Sequence, residues 1–411
     1  MSKTMQKQSI NGGSPVRVKP WSAGAFHFKE EIAAVAEALS GPSLPMARGK
    51  YVMAYRAMLA KTYGARHVVT TSSGTTAIHV ALAAAGVGVG DEVITSPITD
   101  YGTVIGIIQL NAVPVFCDVV HGSMAMDAAK IESLMTKRTK VIMPVHIGGY
   151  PVDMLTIMKI ARKHRVKVVE DCAQSHMTRI GKTYAGCFGD FGAFSTNESK
   201  HMKTGEGGFV LCRSKSAALY ADLFADKCYH RFPEAPATPA FPALNVRMSD
   251  ITAAIAIEQL RKLPGWIRRR QAAGLEIECV LSRYPLKSCR RPKEARCSYW
   301  WCAFFLDEEE RRISAEEFVK MMNAEGIPCW RGGQRLITEW EIFKKLNDNP
   351  NYFRNYRPGA LRKGAYRLDR WPEAKWAVEN IIVIPVNQHT GKSEIRDLDR
   401  ALKKIFSFIS G

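Results

Sequence analysis

The 411-residue sequence lacks any long apolar run, and it has fewer acidic than basic side chains. Residues 1–20 are polar and contain no apolar core of a secretory signal, so we expect no export by that route. The longest apolar stretch, residues 77–89, is short and interrupted by Gly86 and Gly88, so we expect no transmembrane helix and no membrane partner. These absences predict a cytoplasmic protein.

Closely spaced cysteine pairs are also missing, although the chain has ten cysteines. Zinc sites are typically built from CxxC pairs, so we expect no metal centre. Scattered thiols in a long intracellular chain are typically reduced and buried. Hydrophobic residues make up 46% and charged residues 24%, which is the composition of a globular protein and excludes a disordered or fibrous one.

The shortage of acidic residues gives a net charge of +19. Such a charge favours anionic partners but does not indicate a fold. A regulator that binds nucleic acid would need a helix-turn-helix or a dedicated basic module, and the first sixty residues contain neither, so we expect no nucleic-acid partner. The basic cluster from Arg261 to Arg296 is interpreted as the solvated face of long helices.

Strand and helix patterns alternate from about residue 66. The predicted strands are His67–Thr71, Glu92–Thr95, Val113–Val119, Lys140–His146, Val166–Glu170, Gly192–Ser195 and Phe209–Cys212. The helices predicted between them are Thr76–Ala85, Thr103–Gln109 and Met154–His164. This alternation predicts an α/β fold whose large domain has a mostly parallel central sheet flanked by helices.

The pattern changes after residue 213. Helices are predicted over Lys215–Phe224, Asp250–Arg261 and Trp266–Arg283. A smaller C-terminal α+β domain is then predicted from Tyr299–Leu306, Ala315–Asn323, Ile381–Pro385 and Glu394–Phe406, with an irregular segment at Asn347–Pro372. We therefore divide the chain into residues 1–265 and 266–411.

Three segments carry candidate chemistry. The first, HVVTTSSGTTA at residues 67–77, is a strand that turns through Ser73 and Gly74 into a helix. The free amides of a helix start, with the hydroxyls of Thr75 and Thr76, can bind a phosphate. The alternative is that these residues only cap the helix.

The second segment, residues 166–171, brings Asp171 to the carboxyl end of a strand, where open α/β sheets place their sites. A structural acid is the alternative. The third segment, residues 194–208, places Lys200 after a strand and before a glycine-rich turn. A partly desolvated lysine can act as an amine nucleophile. The alternative is a solvated loop lysine, and Lys203 in the same loop is a competing candidate.

A phosphate-binding helix start, a strand-end aspartate and a loop lysine are the groups that hold pyridoxal 5'-phosphate. In such a site the lysine forms the Schiff base and the aspartate keeps the pyridine nitrogen protonated. The three segments together predict this cofactor.

The sequence also resembles the DegT/DnrJ/StrS family of fold type I sugar aminotransferases over nearly its whole length. The matching motifs are SGTTAI at 73–78, DEVITSP at 91–97, VEDCAQS at 169–175, GDFGAFS at 189–195, Lys200 before TGEGG at 204–208, and NVRMSD at 245–250. The resemblance implies Lys200 as the Schiff-base lysine, because Lys200 and not Lys203 has the family's offset from the glycines. It also implies Asp171 at the pyridinium nitrogen and Gln174 near the ring hydroxyl.

Further roles follow from the same resemblance. Thr75, Thr76 and Ser195 would hold the phosphate, and Ser73 and Gly74, at the turn into the helix, remain cofactor-binding candidates. Asn245 would reach the cofactor of the neighbouring subunit, which implies a homodimer. Glutamate or glutamine would donate the amino group, and a nucleotide-linked keto sugar or a keto cyclitol would accept it in a ping-pong reaction with Lys200 as general acid and base.

Three segments depart from the family pattern. After Pro97, Asp100 stands where the family usually has an aromatic residue that stacks on the cofactor, so Tyr101 becomes the candidate. The sequence before Lys200, Asn-Glu-Ser, is closer to members that act on cyclitols, and residues 330–335 lack the family's acceptor-site His and Tyr.

A sugar dehydratase of the same fold is an alternative, but that branch replaces the lysine by histidine. A non-catalytic regulator that binds the cofactor is the remaining alternative.

Overall fold

The computed structural model describes residues 8–23, 29–41, 44, 48–229, 231, 233–333, 335–352, 361 and 364–410. The helices are α1 Lys29–Leu39, α2 Lys50–Tyr63, α3 Gly74–Ala84, α4 Tyr101–Gln109, α5 Ile131–Leu134, α6 Met154–His164, α7 Lys215–Ala225, α8 Asp250–Leu281, α9 Ala315–Ala324, α10 Glu341–Asp348, α11 Pro372–Asn380 and α12 Lys392–Ser410. The strands are β1 His67–Thr71, β2 Glu92–Thr95, β3 Val113–Phe116, β4 Thr139–Ile142, β5 Lys167–Asp171, β6 Arg179–Ile180, β7 Thr183–Tyr184, β8 Phe191–Ser195, β9 Gly208–Cys212, β10 Leu286–Ser288, β11 Ala295–Arg296, β12 Trp301–Leu306, β13 Trp330–Arg331 and β14 Ile382–Pro385.

Seven strands form the large sheet, in the order β1-β9-β8-β5-β4-β2-β3. Only β9 is antiparallel to its neighbours, and the other four pairs are parallel. The expected mostly parallel sheet is therefore confirmed. Because β1 and β8 are both antiparallel to β9, they point the same way as the remaining strands. The carboxyl ends of six strands thus share one edge, where α/β sheets bind ligands.

Helix α3 is enclosed between the large sheet and two neighbouring helices. Its side chains are apolar nearly all round, which is typical of a helix enclosed by other elements. It packs against β8, β9, α4 and α7. Fully enclosed members of this helix are Ala77, Val80, Ala81 and Leu82, each with 0% exposure. The packing fixes the start of α3 next to the carboxyl ends of β1 and β8.

The predicted break between Arg261 and Trp266 is wrong, because α8 is one helix of 32 residues. Pro264 lies inside it. A proline removes one helical hydrogen bond and usually kinks or ends a helix. Here apolar side chains on both sides of it are buried against α1 and α2: Leu260, Leu263 and Ile267. The division proposed between residues 265 and 266 falls inside this helix.

Strands β3 and β4 end before the predicted Val119 and His146. Apolar residues continue beyond each strand, and Val119 and Val145 are buried, but each forms only an isolated bridge, Val119 with Met126 and Val145 with Asp171. A buried apolar run alone does not separate a strand from such a loop.

The C-terminal part has the expected α+β character. Its four-stranded sheet has the order β10-β12-β14-β13 with antiparallel pairs throughout. Helix α9 contacts β13, and α12 packs against α8 and α9. Of the segment predicted as irregular, residues 353–360 and 362–363 lie outside the described residues. The described remainder includes the end of α10 and a short 3₁₀ turn at Leu368–Arg370.

All ten cysteines are free thiols, and eight of them are buried, as expected. Within the described part of the chain, no helix has both the length and the apolar character that a membrane span requires.

Candidate active site

A cavity of about 310 Å³ opens at the carboxyl edge of the large sheet. Its walls include seven of the ten residues predicted for the site: Ser73, Gly74, Thr75, Asp171, Gln174, Ser195 and Lys200. They come from the start of α3, the ends of β5 and β8 and the loops that follow these two strands. The three remaining candidates, Thr76, Tyr101 and Asn245, do not line it.

The start of α3 presents unused amides to the cavity. Ser73 and Thr76 form a capping box, in which the Thr76 amide donates to Ser73 Oγ (3.1 Å) and the Ser73 amide donates to Thr76 Oγ1 (3.0 Å). No described residue accepts a hydrogen bond from the amides of Gly74 or Thr75. A Cβ at Gly74 would lie 2.5 Å from Ser195 Cβ, so the close approach of α3 to β8 requires glycine. The arrangement suits an anion.

Asp171 ends β5 and is 3% exposed. Its Oδ2 accepts a hydrogen bond from Thr103 Oγ1 (2.7 Å), and its Oδ1 accepts one from the Ala173 amide (3.0 Å). Burial raises the pKa of Asp171, while these hydrogen bonds and the charge of Lys200 oppose that rise. The carboxylate is therefore held rigidly, and a cationic partner would stabilise its charged form.

Gln174 lies in the loop after β5. Its Oε1 accepts a hydrogen bond from the Gly148 amide (2.7 Å), which fixes the orientation of the side-chain amide in the cavity wall. The amide NH₂ group is left as the donor of this side chain.

Lys200 lies in the loop between β8 and β9. The Lys200 amide donates to the Asn197 carbonyl (2.9 Å), and the Thr204 amide donates to the Thr196 carbonyl (2.8 Å), so the loop is held at both ends. Burial lowers the pKa of Lys200, and the nearby carboxylates of Asp100, Asp171 and Glu206 act against that fall. No described residue accepts a hydrogen bond from its Nζ.

Lys203, the competing lysine, does not line the cavity. Its amide donates to Gln259 Oε1 (3.1 Å) and its Nζ lies 3.9 Å from Glu198 Oε1. The structure therefore distinguishes two lysines that the sequence alone places only three residues apart.

Tyr101 is the first residue of α4, and its ring stacks on Trp340 with 5.7 Å between the ring centroids. Its neighbours Asp100 and Gly102 line the cavity instead. The indole of Trp340 gives the ring an apolar partner outside the cavity. No ring-stacking role for Tyr101 follows from this position.

Asn245 is exposed and pairs with Asp226 through an isolated antiparallel bridge. It lies on the surface of this chain and does not line the cavity.

Residues of this region that sequence reasoning missed include Asp100, Thr103, His146, Glu206 and Trp300. Thr103 and His146 line the cavity. The ring of Trp300 lies over Lys200, with 4.7 Å between Nζ and the ring centroid. Thr103 and Trp300 carry no local signal, because each is brought to the site by a contact between segments far apart in the chain. His146 ends a predicted strand, and that position could have indicated it.

One group of possible metal ligands occurs in the described residues: His146, Glu170 and Cys172. Glu170 is fully buried and already accepts hydrogen bonds from the amides of Gly186, Phe188 and Gly189 (each 2.8 Å). His146 Nδ1 accepts from the Val152 amide, so Nε2 carries the hydrogen that faces Glu170 (3.1 Å). The group is thus satisfied as an internal hydrogen-bond network.

The profile of the DegT/DnrJ/EryC1/StrS aminotransferase family matches residues 27–403. The chain belongs to this family. It is therefore a pyridoxal phosphate-dependent aminotransferase. The cavity fits this cofactor, because its walls contain the unused amides of α3, the buried carboxylate of Asp171 and the amine of Lys200. No described residue accepts a hydrogen bond from that amine.

The relatives of this aminotransferase include enzymes of cyclitol and sugar metabolism. It is 30% identical to L-glutamine:2-deoxy-scyllo-inosose aminotransferase of Micromonospora echinospora, with 97% of each chain covered. It is 32% identical to GDP-perosamine synthase of Escherichia coli O157:H7, with 75% of this chain and 81% of that one covered. Among solved structures, the aminotransferase from Psychrobacter cryohalolentis has a TM-score of 0.83 at 25% identity, covering 95% of this chain and 100% of the other.

Proposed function

We propose that this aminotransferase transfers an amino group from glutamine or glutamate to a keto cyclitol or a nucleotide-linked keto sugar by a ping-pong mechanism, with Lys200 as the cofactor-bearing lysine. One observation carries the proposal: Lys200, Asp171 and the free amides of α3 face a single cavity. That combination matches the amine, the acid and the phosphate site that this cofactor needs.

When bound, pyridoxal phosphate supplies an electron sink for breaking and making bonds at the carbon that carries nitrogen. The protein's residues would bind the cofactor and orient it. The amides of Gly74 and Thr75, with the Ser195 hydroxyl, would hold the phosphate group. Asp171 would keep a proton on the pyridine nitrogen, because a buried carboxylate strongly favours a cationic neighbour. Gln174 would donate its amide hydrogen to the ring hydroxyl.

Lys200 would move the proton between carbon centres. A general base must be partly neutral at the working pH, and burial lowers the pKa of Lys200 in that direction. The carboxylates of Asp100, Asp171 and Glu206 oppose this lowering of the Lys200 pKa, so the amine of Lys200 can also return the proton as an acid. This balance supports a role in which one amine alternates between base and acid.

The substrates are proposed from the relatives and from the loop before Lys200. The relative that matches 97% of this chain is named for glutamine and 2-deoxy-scyllo-inosose. The Asn-Glu-Ser sequence at 197–199 favours a cyclitol over a nucleotide-linked sugar. Similarity to GDP-perosamine synthase over 75% of this chain supports a nucleotide-linked sugar as a second candidate acceptor.

Separate half-reactions test the assignment. The loaded enzyme is incubated with glutamine or glutamate, freed of the donor, and checked by absorbance for the amino form of the cofactor. It is then offered scyllo-inosose derivatives and nucleotide-linked 4-keto sugars in parallel, and recovery of the aldehyde form and the mass of the amine product are measured. We expect recovery with a keto cyclitol. Failure of every ketone after complete amination by a donor would contradict the proposed acceptor class. Lys200→Ala serves as the control without turnover.

A further inference from the structure

Trp300 comes from the C-terminal part of the chain yet reaches the loop that carries Lys200. Its indole ring lies over Lys200 Nζ, 4.7 Å from the ring centroid. Its Nε1 donates a hydrogen bond to the Ser199 carbonyl (2.7 Å), next to Lys200. The ring therefore has two contacts with the loop, one through its face and one through its edge.

The segment that carries Trp300 is attached to two glycines that follow β4. The Trp300 amide donates to the Gly148 carbonyl (3.0 Å), and the Ser298 amide donates to the Gly149 carbonyl (3.2 Å). A Cβ at Gly149 would lie 2.6 Å from Ser298 Oγ. Only glycine permits the two segments to pack this closely, and Gly148 also fixes Gln174 in the cavity wall.

Tyr299, just before Trp300, has a φ of +47°, in the left-handed region that a bulky residue rarely adopts. Its ring packs against Gly274 of α8, where a Cβ would lie 2.5 Å from a ring carbon. The buried guanidinium of Arg270 donates to the carbonyls of Tyr299 (3.2 Å) and Val386. A backbone conformation of this kind persists only where its surroundings hold it, and such residues cluster at functional sites.

We propose that Trp300 is a positioning residue for Lys200: its indole face holds the amine of Lys200 at the cavity whenever that amine is not bonded to the cofactor, and Arg270 and Tyr299 hold the indole in place. The inference rests on the proposed role of Lys200. It adds a C-terminal residue to a site otherwise built from the large sheet.

The face of an indole attracts an ammonium group more than a neutral amine. Trp300 therefore favours the charged form of Lys200, against the burial that lowers the pKa of this group. The other charged or titratable groups that act on Lys200 are Asp100 at the start of α4, Asp171 on β5, Glu206 before β9, and His176 and His201 beneath the loop. All remain when Trp300 is replaced, so a change in the pKa of Lys200 reports on the ring.

The test measures the free amine in the cofactor-free protein. Trace acetic anhydride is added over a pH series, and acetylation of Lys200 is quantified by mass spectrometry against exposed Lys61. Wild type is compared with W300L, which keeps apolar bulk without an aromatic face, and W300F, which keeps a weaker face. We expect the titration midpoint of Lys200 to fall by roughly 0.5 to 1.5 pH units in W300L. It falls less in W300F. Exposed Trp330 provides the control W330L, which leaves the midpoint unchanged.

An unchanged midpoint in a folded W300L protein overturns the inference, as does an equal fall in W300F and W300L, which assigns the effect to the lost Nε1 hydrogen bond instead of the ring face. Because the labelling uses cofactor-free protein, it is independent of the proposed function. If reductive trapping finds the cofactor on another lysine, the proposed function fails while the contact between Trp300 and Lys200 is still measured.

Discussion

Thr103 donates a hydrogen bond from Oγ1 to Oδ2 of Asp171 across 2.7 Å, and both residues line the same cavity. The bond joins α4 to the carboxyl end of β5. It favours the charged form of the carboxylate against the burial that raises its pKa.

Thr103→Val removes this bond while keeping the shape of the side chain. We expect cofactor affinity to fall roughly tenfold to a hundredfold, since a hydrogen bond to a charged group contributes about 1.5–3 kcal/mol. Titration of the cofactor-free protein with pyridoxal phosphate, followed by absorbance, measures the dissociation constant. Thr103→Ser, which keeps the hydroxyl, should bind within a few-fold of wild type. Equal weakening in both variants would show that packing and not the hydrogen bond is responsible.

Gly74→Ala tests the close approach of α3 to β8. A Cβ at Gly74 would lie 2.5 Å from Ser195 Cβ, so one of the two segments must move away from the phosphate position. We expect a loss of about 1–3 kcal/mol in the free energy of unfolding and a clear loss of cofactor affinity. Gly88→Ala is the matched control, because a Cβ there meets nothing within 4 Å. Denaturant unfolding and cofactor titration are measured for both, and normal cofactor binding by Gly74→Ala would refute the argument.

The stability of the cofactor-free protein should depend on pH through Lys200. Because burial lowers its pKa, the folded state disfavours the ammonium form more than the unfolded state does. This destabilisation is fully present below the folded-state pKa and disappears as the pH rises through the unfolded lysine value of about 10.4. Lys200→Met therefore stabilises the cofactor-free protein most at neutral pH, and its advantage shrinks in alkali. Urea unfolding of both proteins over a pH series measures the difference in their free energies of unfolding. A difference that grows as the pH rises would contradict the prediction.

Subunit complementation tests the proposed homodimer with shared sites. Lys200→Ala and Asn245→Asp should each be inactive alone, the second because a carboxylate would face the phosphate bound by the partner. In a mixed dimer, the site that keeps Lys200 receives Asn245 from the other subunit and is intact. Random exchange of subunits should restore about a quarter of the wild-type activity. No recovery after verified exchange would indicate that Asn245 serves its own subunit or none.

The sequence was sufficient for the large sheet and for most of the cavity. Strand patterns and turn residues are local, so β1, β5 and β8, and with them Ser73 and Asp171, could be predicted from the chain alone. Lys200 was preferred to Lys203 only through the family resemblance. The predicted break between Arg261 and Trp266 is wrong, because buried neighbours on both sides of Pro264 keep α8 continuous. Tertiary packing decides such cases.

Contacts between distant segments could not be predicted. Thr103 and Asp171 are 68 residues apart, and Trp300 is 101 residues from Ser199, whose carbonyl it binds. Neither pair has a sequence pattern that links its members. Tyr101 was the nearest aromatic residue to the expected stacking position, but Trp340, from a segment more than two hundred residues later, provides its ring partner.

Reductive trapping tests the central claim most directly. The cofactor-loaded enzyme is treated with borohydride, digested, and mapped by mass spectrometry. The account predicts a reduced pyridoxyl phosphate group on Lys200 and none on Lys203. Attachment to Lys203 or to any other lysine would contradict it.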